Sequence, residues 1–410
     1  MAATQALDQF VIPAHVPPEL VRPIGLTEGA EFLAAPHAFM ADLLTTQPRI
    51  FFSPSHHATN AWVVTHYDDI YHVLRHPEIF TTRGSTAFPR DPNNYFHLIP
   101  LEIDPPEHRK YRALLDPMFS PKAVARLEDT IRKLANDLID DIIDKGVDKG
   151  GCEFTKAFGR PLPVSVFLDL MGLPQDMRDT FVGWAMGLLH AQDRQVAGKA
   201  MQEAVAYLQT VIEEKTKHPD AGAISVIVHS KPGGEPISGQ DVFGFVFFLF
   251  IAGLDTVFAS LNNIFLWLAQ NPARRQEIID NPGNINAVLE ELLRVFSVTF
   301  SGRNLTQDYE MRGVKMKKGD KVTCILPAAN YDPAVFENPK EVNFHRQRKP
   351  ILAFTAGVHS CMGAHLARLE MKIALTEFLR RIPNFQVKEG TKIEYWPGGV
   401  VGPKVVPLTW

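Results

Sequence analysis

Phe354-Thr355-Ala356-Gly357-Val358-His359-Ser360-Cys361-Met362-Gly363-Ala364-His365-Leu366-Ala367-Arg368 is the stretch whose reading decides this chain. A loop with two well-spaced glycines delivers one cysteine to the start of a segment with helical apolar spacing, which runs from Cys361 to about Arg381. A thiolate is a soft, charged ligand, costly to bury bare. At a helix N-terminus the dipole and the free backbone N–H groups stabilise it. Gly357 and Gly363 let the backbone turn sharply and let a flat cofactor approach closely. Two plainer readings stand beside this one. One is a buried structural cysteine in a turn; the other is a zinc site from His359, Cys361 and His365, which lacks a paired CxxC and a fourth ligand.

The 410 residues carry a formal charge of −4, 45% hydrophobic and 21% charged residues, which fits a globular protein with a sizeable core and gives no support for nucleic-acid binding. Three widely separated cysteines, Cys152, Cys324 and Cys361, argue against a disulfide framework and suit a reducing compartment. The first residues show no basic and apolar leader pattern. The most apolar run, Val242 to Leu254, stops at Asp255 well short of the ~20 residues a membrane span needs, so it reads as a buried core helix. These features predict a soluble, cytoplasmic protein without a membrane anchor; a monomer is expected.

Residues 1–35 are proline-rich and read as an extended arm, and residues 36–410 as one helix-dominated domain with a minor β region. Short β-like runs at Ile50–Ser53 and Ala61–Thr65 precede a helix near Asp68–Leu74. An aromatic, proline-broken loop follows at 83–100. Asp104-Pro105-Pro106-Glu107 reads as a helix start with Asp104 as N-cap. The spacing of Leu127, Ile131, Leu134, Leu138 and Ile142 predicts one long helix over 121–146. Further helices are expected near 160–172, 175–190 and 194–217, then a long one from Ser238 to about Gln270 and another at Asn286–Ser297. Strand pieces at Tyr309–Val314 and Lys321–Leu326 lead into a meander at 327–350.

Ala252-Gly253-Leu254-Asp255-Thr256 sits in the middle of the long apolar helix. A buried acid beside a hydroxyl is expensive unless hydrogen-bonded or functional. Gly253 would weaken the helix and leave room for a small ligand; the plainer reading is a kink with Thr256 bonding back to the preceding turn. Glu291 and Arg294 lie three apart on one helix face, by itself an ordinary pair worth ~0.2–0.5 kcal/mol.

The pattern Phe-x-x-Gly-x-His-x-Cys-x-Gly from Phe354 to Gly363 resembles the haem-ligand signature of the cytochrome P-450 superfamily. Asp104–Glu107, Phe250–Val257 and the ending Val406-Pro407-Leu408-Thr409-Trp410 look like the bacterial camphor hydroxylase family, a likeness running from about residue 12 to Trp410. The resemblance implies the triangular, mainly α P-450 fold and haem b with Cys361 as its metal ligand. It further implies hydroxylation by O2, with electrons from a two-iron, two-sulfur ferredoxin served by a flavoprotein ferredoxin reductase and NADH. Asp255 and Thr256 would be the proton-relaying acid and the alcohol that hydrogen-bonds the oxygen species. His108, Arg112, Arg303 and His359 would be the propionate partners, with Gly253, Phe354 and Gly363 against the haem. Glu291, Arg294 and Arg346 would lock the core behind the cysteine loop, and Arg109, Arg112 and Arg348 would face the acidic ferredoxin.

The pocket positions that the resemblance carries over are Ala87, Phe88, Tyr95, Phe96, Phe248, Ile251, Ala252, Thr299, Gly399 and Val400. Phe96 stands where the camphor enzymes use a tyrosine to hold the substrate ketone, and Ser301 where they have an aspartate. The expected substrate is a compact, apolar terpenoid, such as a bicyclic monoterpenoid of the 1,8-cineole or camphor type or a norisoprenoid. The alternatives are a peroxide-driven haem-thiolate enzyme and a non-catalytic haem or terpenoid sensor.

Overall fold

The longest apolar segment folds as one continuous helix, Gly239–Gln270, capped by the Ser238 hydroxyl, which accepts from the Asp241 N–H at 3.1 Å. At 32 residues it spans roughly 48 Å. Because its first half is apolar on every side, every face has to be covered. The helices Pro161–Met171, Arg178–His190, Arg194–Lys217 and Ala223–Val228 do so on one flank. It is long and apolar enough to cross a membrane, yet most of it is buried inside this protein. The computed structural model describes residues 11–56, 59–86, 96–146, 150–191 and 193–410.

Beyond Asp255 the core helix meets a second apolar core, which joins the helices Glu128–Gly146, Ile285–Val295 and Ala364–Arg381. Its centre is aromatic: the Phe154 ring stacks on Phe265 at 4.3 Å, and Phe378 meets both edge-on. Helix makes up 55% of the chain, so the class is mainly α and the architecture is a single domain.

A five-stranded sheet lies to one side, in the order Ile50–His56, Thr59–Val64, Lys321–Cys324, Ser301–Leu305, Phe80–Thr81. Only the Thr59–Val64 and Lys321–Cys324 pair is parallel, in the register Val63↔Thr323. The sheet pairs Ser301–Leu305 with Lys321–Cys324 on one side and Phe80–Thr81 on the other, which brings Thr81 and Thr82 alongside it. Tyr309–Met311 and Val314–Met316 form a hairpin, and Gly151–Glu153, Pro407–Thr409 and Gln386–Val387 a small sheet.

Several expectations needed correction. The arm is not wholly irregular, since Ala30–Ala34 is a short helix. Asp104 does not cap a helix with its side chain, because its carboxylate accepts from the Thr81 and Thr82 hydroxyls and the Thr82 N–H; the helix begins at Glu107. The segment 121–146 is two helices, Pro121–Ala125 and Glu128–Gly146. The apolar spacing runs through the break because Val124 and Ile131 face the same core. The helix after the cysteine starts at Ala364, three residues later than its apolar spacing suggested.

Candidate active site

Cys361 lies between a single 3-10 turn, Gly357–His359, and the helix Ala364–Arg381. Its N–H donates to the Phe354 carbonyl at 3.0 Å, which closes the loop. Gly357 adopts φ 73°, and a side chain there would strike the Leu74 carbonyl, so only glycine fits. Gly363 has an ordinary φ of −77°; it is no forced turn, but a Cβ there would lie 3.9 Å from the Cys361 Sγ. The Cys361 thiol is accessible to solvent, yet protein surrounds it and burial raises its pKa. The Gly363 N–H, Arg112 and Arg368 oppose that rise. Enclosed by protein yet open to solvent, the thiol sits where a ligand can reach it. Cys152 and Cys324 differ: burial pushes both thiols up to about 12, the state of inert structural cysteines.

His359 turns away from the thiol. Its Nε2 lies 3.4 Å from the Thr82 hydroxyl and 3.7 Å from Asp104, and its ring packs 4.4 Å from His108. With His365 exposed as well, the zinc alternative has no geometry behind it. Burial first, then His359 and Arg112, push His108 down to about 4, so it is neutral at pH 7. Arg112 donates to the Ser360 carbonyl at 2.7 Å and pairs with Asp116 at 2.9 Å. Arg303 is only 3% exposed and has no salt bridge among the described residues. Its Nη1 donates to Ser301 Oγ at 2.8 Å, and its Nη2 has no partner.

A buried guanidinium without a salt-bridge partner is strongly unfavourable, Asp104 favouring its charge only from a distance, and His108 Nδ1 is likewise unpartnered. An anionic group is what these atoms lack, and the carboxylates of a haem would answer them. The residues present therefore fit that cofactor. Ser301, standing where an aspartate was expected, holds Arg303 without neutralising it.

On the core helix, Phe248, Ile251, Ala252 and Thr256 keep partial exposure among buried neighbours. Three-to-four spacing puts them on one face, which stays partly open. Met362, next to the cysteine, packs against the same apolar cluster as Phe248 and Ile251. Thr299 and Val400 meet in an antiparallel bridge, with Gly399 exposed beside them. Phe96 is buried edge-on against Phe243 at 4.9 Å and Phe247 at 5.2 Å. Ala87, Phe88 and Tyr95 lie outside the described residues. Thr256 donates to the Ala252 carbonyl at 3.3 Å without breaking the helix. Gly253 does not leave open space: the Phe167 ring fills the place a side chain would take, so glycine there serves helix packing.

Asp255 is buried and bonds His190 Nε2 at 2.9 Å. Sequence reasoning missed this partner, which lies 65 residues away at the end of another helix. Glu291 and Arg294 form no surface pair but a buried, two-point ion pair at 2.8 and 2.9 Å, with Arg294 1% exposed. Arg346 Nε reaches both Glu291 oxygens at 3.1 Å, and Arg294 also donates to the carbonyls of Asn330, Pro339 and Glu341. Arg109 and Arg348 are exposed. Arg348 lines a groove of about 690 Å³ with Arg368 and Lys372, on the side of the Glu291–Arg294 pair rather than at the thiol.

The family model described as Cytochrome P450 matches residues 284–403. The chain is 37% identical over 407 residues to a probable cytochrome P450 127A1 of Sinorhizobium fredii, covering 97% of each. Its fold is similar to the crystal structures of CYP101J2 (TM-score 0.85, 30% identity, 98% of this chain and 99% of that one) and cytochrome P450 CYP101C1 (TM-score 0.87, 27% identity, 98% and 100%). The chain belongs to the cytochrome P450 family, monooxygenases that use a cysteine-ligated haem b and O2.

Proposed function

We propose that this protein hydroxylates a C–H bond of a compact, apolar terpenoid of the bicyclic monoterpenoid or norisoprenoid kind, with Cys361 as the haem ligand. The observation that carries the reading is the enclosed yet accessible Cys361 thiol, joined through His359 and Arg112 to the unneutralised Arg303. Bound haem would supply O2 activation, with thiolate donation favouring O–O cleavage. Arg303, His108, His359 and Arg112 would hold its propionates. Thr256 can exchange its long bond to Ala252 for one to a ligand on that open face. Asp255, bonded to His190, would pass a proton to that side. Phe96, Phe248, Ile251, Ala252 and Val400 exclude water and offer the substrate no polar side chain. Because Phe96 presents no hydroxyl, the pocket favours shape over a ketone, a discrimination lowered by ~0.5–1.5 kcal/mol.

Electrons would come from a two-iron, two-sulfur ferredoxin and its flavoprotein reductase, in the cytoplasm. Arg109, Arg112 and Arg348 would form the docking face, and the basic groove with Arg368 and Lys372 supports that choice. The likeness to the camphor-type CYP101 structures supports the substrate class. The test is the carbon monoxide spectrum of the reduced protein. A red-shifted Soret band lost in Cys361→Ala is expected, and its persistence in that variant would overturn the ligand assignment. A spectral titration across a terpenoid panel tests the substrate, and camphor binding far tighter than ethers or hydrocarbons of equal size would sink the reading of Phe96.

A further inference from the structure

His190 ends the helix Arg178–His190 and is buried against the core helix, its side chain 4% exposed. Its Nε2 is 2.9 Å from Asp255 Oδ1. A permanently charged partner would only hold this acid still, whereas an imidazole can also give it a proton. The surroundings go further than one bond. His190 Nδ1 and Asp255 Oδ2 are buried without protein partners, and so are Nε1 of Trp396, whose ring lies 4.9 Å from His190, and Nε of Arg160. Arg160 is half-buried over the Phe258 ring at 4.9 Å and interacts electrostatically with Asp255. Buried polar atoms require hydrogen bonds, and water is the group small enough to serve four such atoms in one neighbourhood.

The outer end of this neighbourhood reaches the surface. Lys404 lies 5.3 Å from the centre of the Trp396 ring and pairs with Glu394 at 3.1 Å, its own side chain 35% exposed. The charged groups around His190 and Asp255 are thus Arg160, with Glu153 behind it, and the Lys404–Glu394 pair beyond Trp396.

Resting on the monooxygenase reading, we propose that His190 is the proton-carrying partner of Asp255, recharged from solvent by way of the Trp396 side. The charged imidazole passes its Nε2 proton to Asp255 Oδ1, leaving neutral His190 and a neutral carboxylic acid. The acid releases that proton toward the open face and becomes carboxylate again. Neutral His190 keeps its proton on Nδ1, so the ring turns to bring the bare Nε2 from Asp255 to the water on the Trp396 side, takes one proton there and turns back. Each cycle takes one proton from solvent and delivers one, and both side chains end as they began. A residue that merely orients Asp255 would need only to donate a hydrogen bond, which glutamine does equally well.

The experiment uses the full chain with haem bound, reduced and carbon monoxide-ligated, and labelled with 15N-histidine. The His190 resonance is assigned by its loss in His190→Gln, then followed against pH in the wild-type protein and in Asp255→Asn. The expected result is an imidazole that gains and loses its proton in the folded protein and whose titration moves when Asp255 loses its charge. In turnover, product formed per NADH falls with rising pH in the wild type. His190→Gln removes that pH step and lowers productive turnover by about 10²-fold, the scale of a lost acid–base group, with substrate binding unchanged by spin-state titration. A His190 resonance that does not titrate would overturn the proposal, as would wild-type coupling and pH profile in His190→Gln. Absence of the red-shifted Soret band would overturn the monooxygenase reading and this inference with it; with the band present, the other outcomes bear on His190 alone.

Discussion

Gly244→Ala is the substitution whose sign the tertiary structure reverses. Glycine inside a helix costs ~0.5–1 kcal/mol relative to alanine, so each exposed helix glycine offers that gain. Gly198, in Arg194–Lys217, has open space where a Cβ would go and should deliver it in full. At Gly244, in the core helix, a Cβ would lie closer than 3.0 Å to the His97 carbonyl oxygen and 3.7 Å from the Phe96 ring. The obstacle is backbone, and it cannot slide aside freely. Phe96 is wedged against Phe243 and Phe247, and the Leu98 N–H donates to the Glu102 carboxylate at 2.9 Å. Forcing such a contact costs ~1–3 kcal/mol, so the net change runs from about zero to a loss of ~2.5 kcal/mol. In a chain of this size 1 kcal/mol moves Tm by about 2 °C or less. Gly198→Ala should therefore raise Tm slightly and Gly244→Ala lower it by up to about 5 °C. Scans at one fixed rate on the haem-loaded proteins make the comparison fair, because large proteins often unfold irreversibly. With Phe96 in the proposed substrate pocket, Gly244→Ala should also shift substrate Kd in the spectral titration, while Gly198→Ala leaves it alone. A Gly244→Ala protein as stable as Gly198→Ala, with unchanged Kd, would show that residues 96–98 do not press on the core helix.

Arg294→Ala removes one half of a buried ion pair and strips donors from the carbonyls of Asn330, Pro339 and Glu341. A loss of ~3–5 kcal/mol is expected, read as a drop in Tm and in the fraction of chains that retain haem; a change under 1 kcal/mol would contradict the burial of this pair. Burial holds His37 near 4 against 6.5 unfolded, with the Ser297 carbonyl at 3.2 Å opposing the shift. The unfolded chain then binds more protons between pH 6.5 and about 4, so this contribution is intact above 6.5 and is lost as pH falls through that window, by about 3 kcal/mol in all. His37→Gln should be nearer to wild type in Tm at pH 5 than at pH 7, and an equal gap at both values would refute the assignment.

The cysteine loop, the capped core helix and the Asp255-Thr256 pair were legible in the chain because each is written in contiguous residues. Glycine spacing, a cap and a period of 3.6 act over a few positions, and Ser238 begins its helix where those signals put it. Helix breaks were less legible, since one core can accept the apolar faces of two pieces as readily as one, as at Arg126–Leu127. Side-chain partners were the least legible. Nothing near Asp255 in sequence points to His190, nothing near Gly253 points to Phe167, and nothing near Asp104 reveals that Thr81 and Thr82 take its carboxylate. Those contacts join separate elements, and packing decides them once the helices and the sheet have closed. The sequence by itself determined the family and the loop that carries the cysteine. The tertiary structure decided which charges stay unanswered, Arg303 first among them, because a cation is costly only where the fold has shut water out.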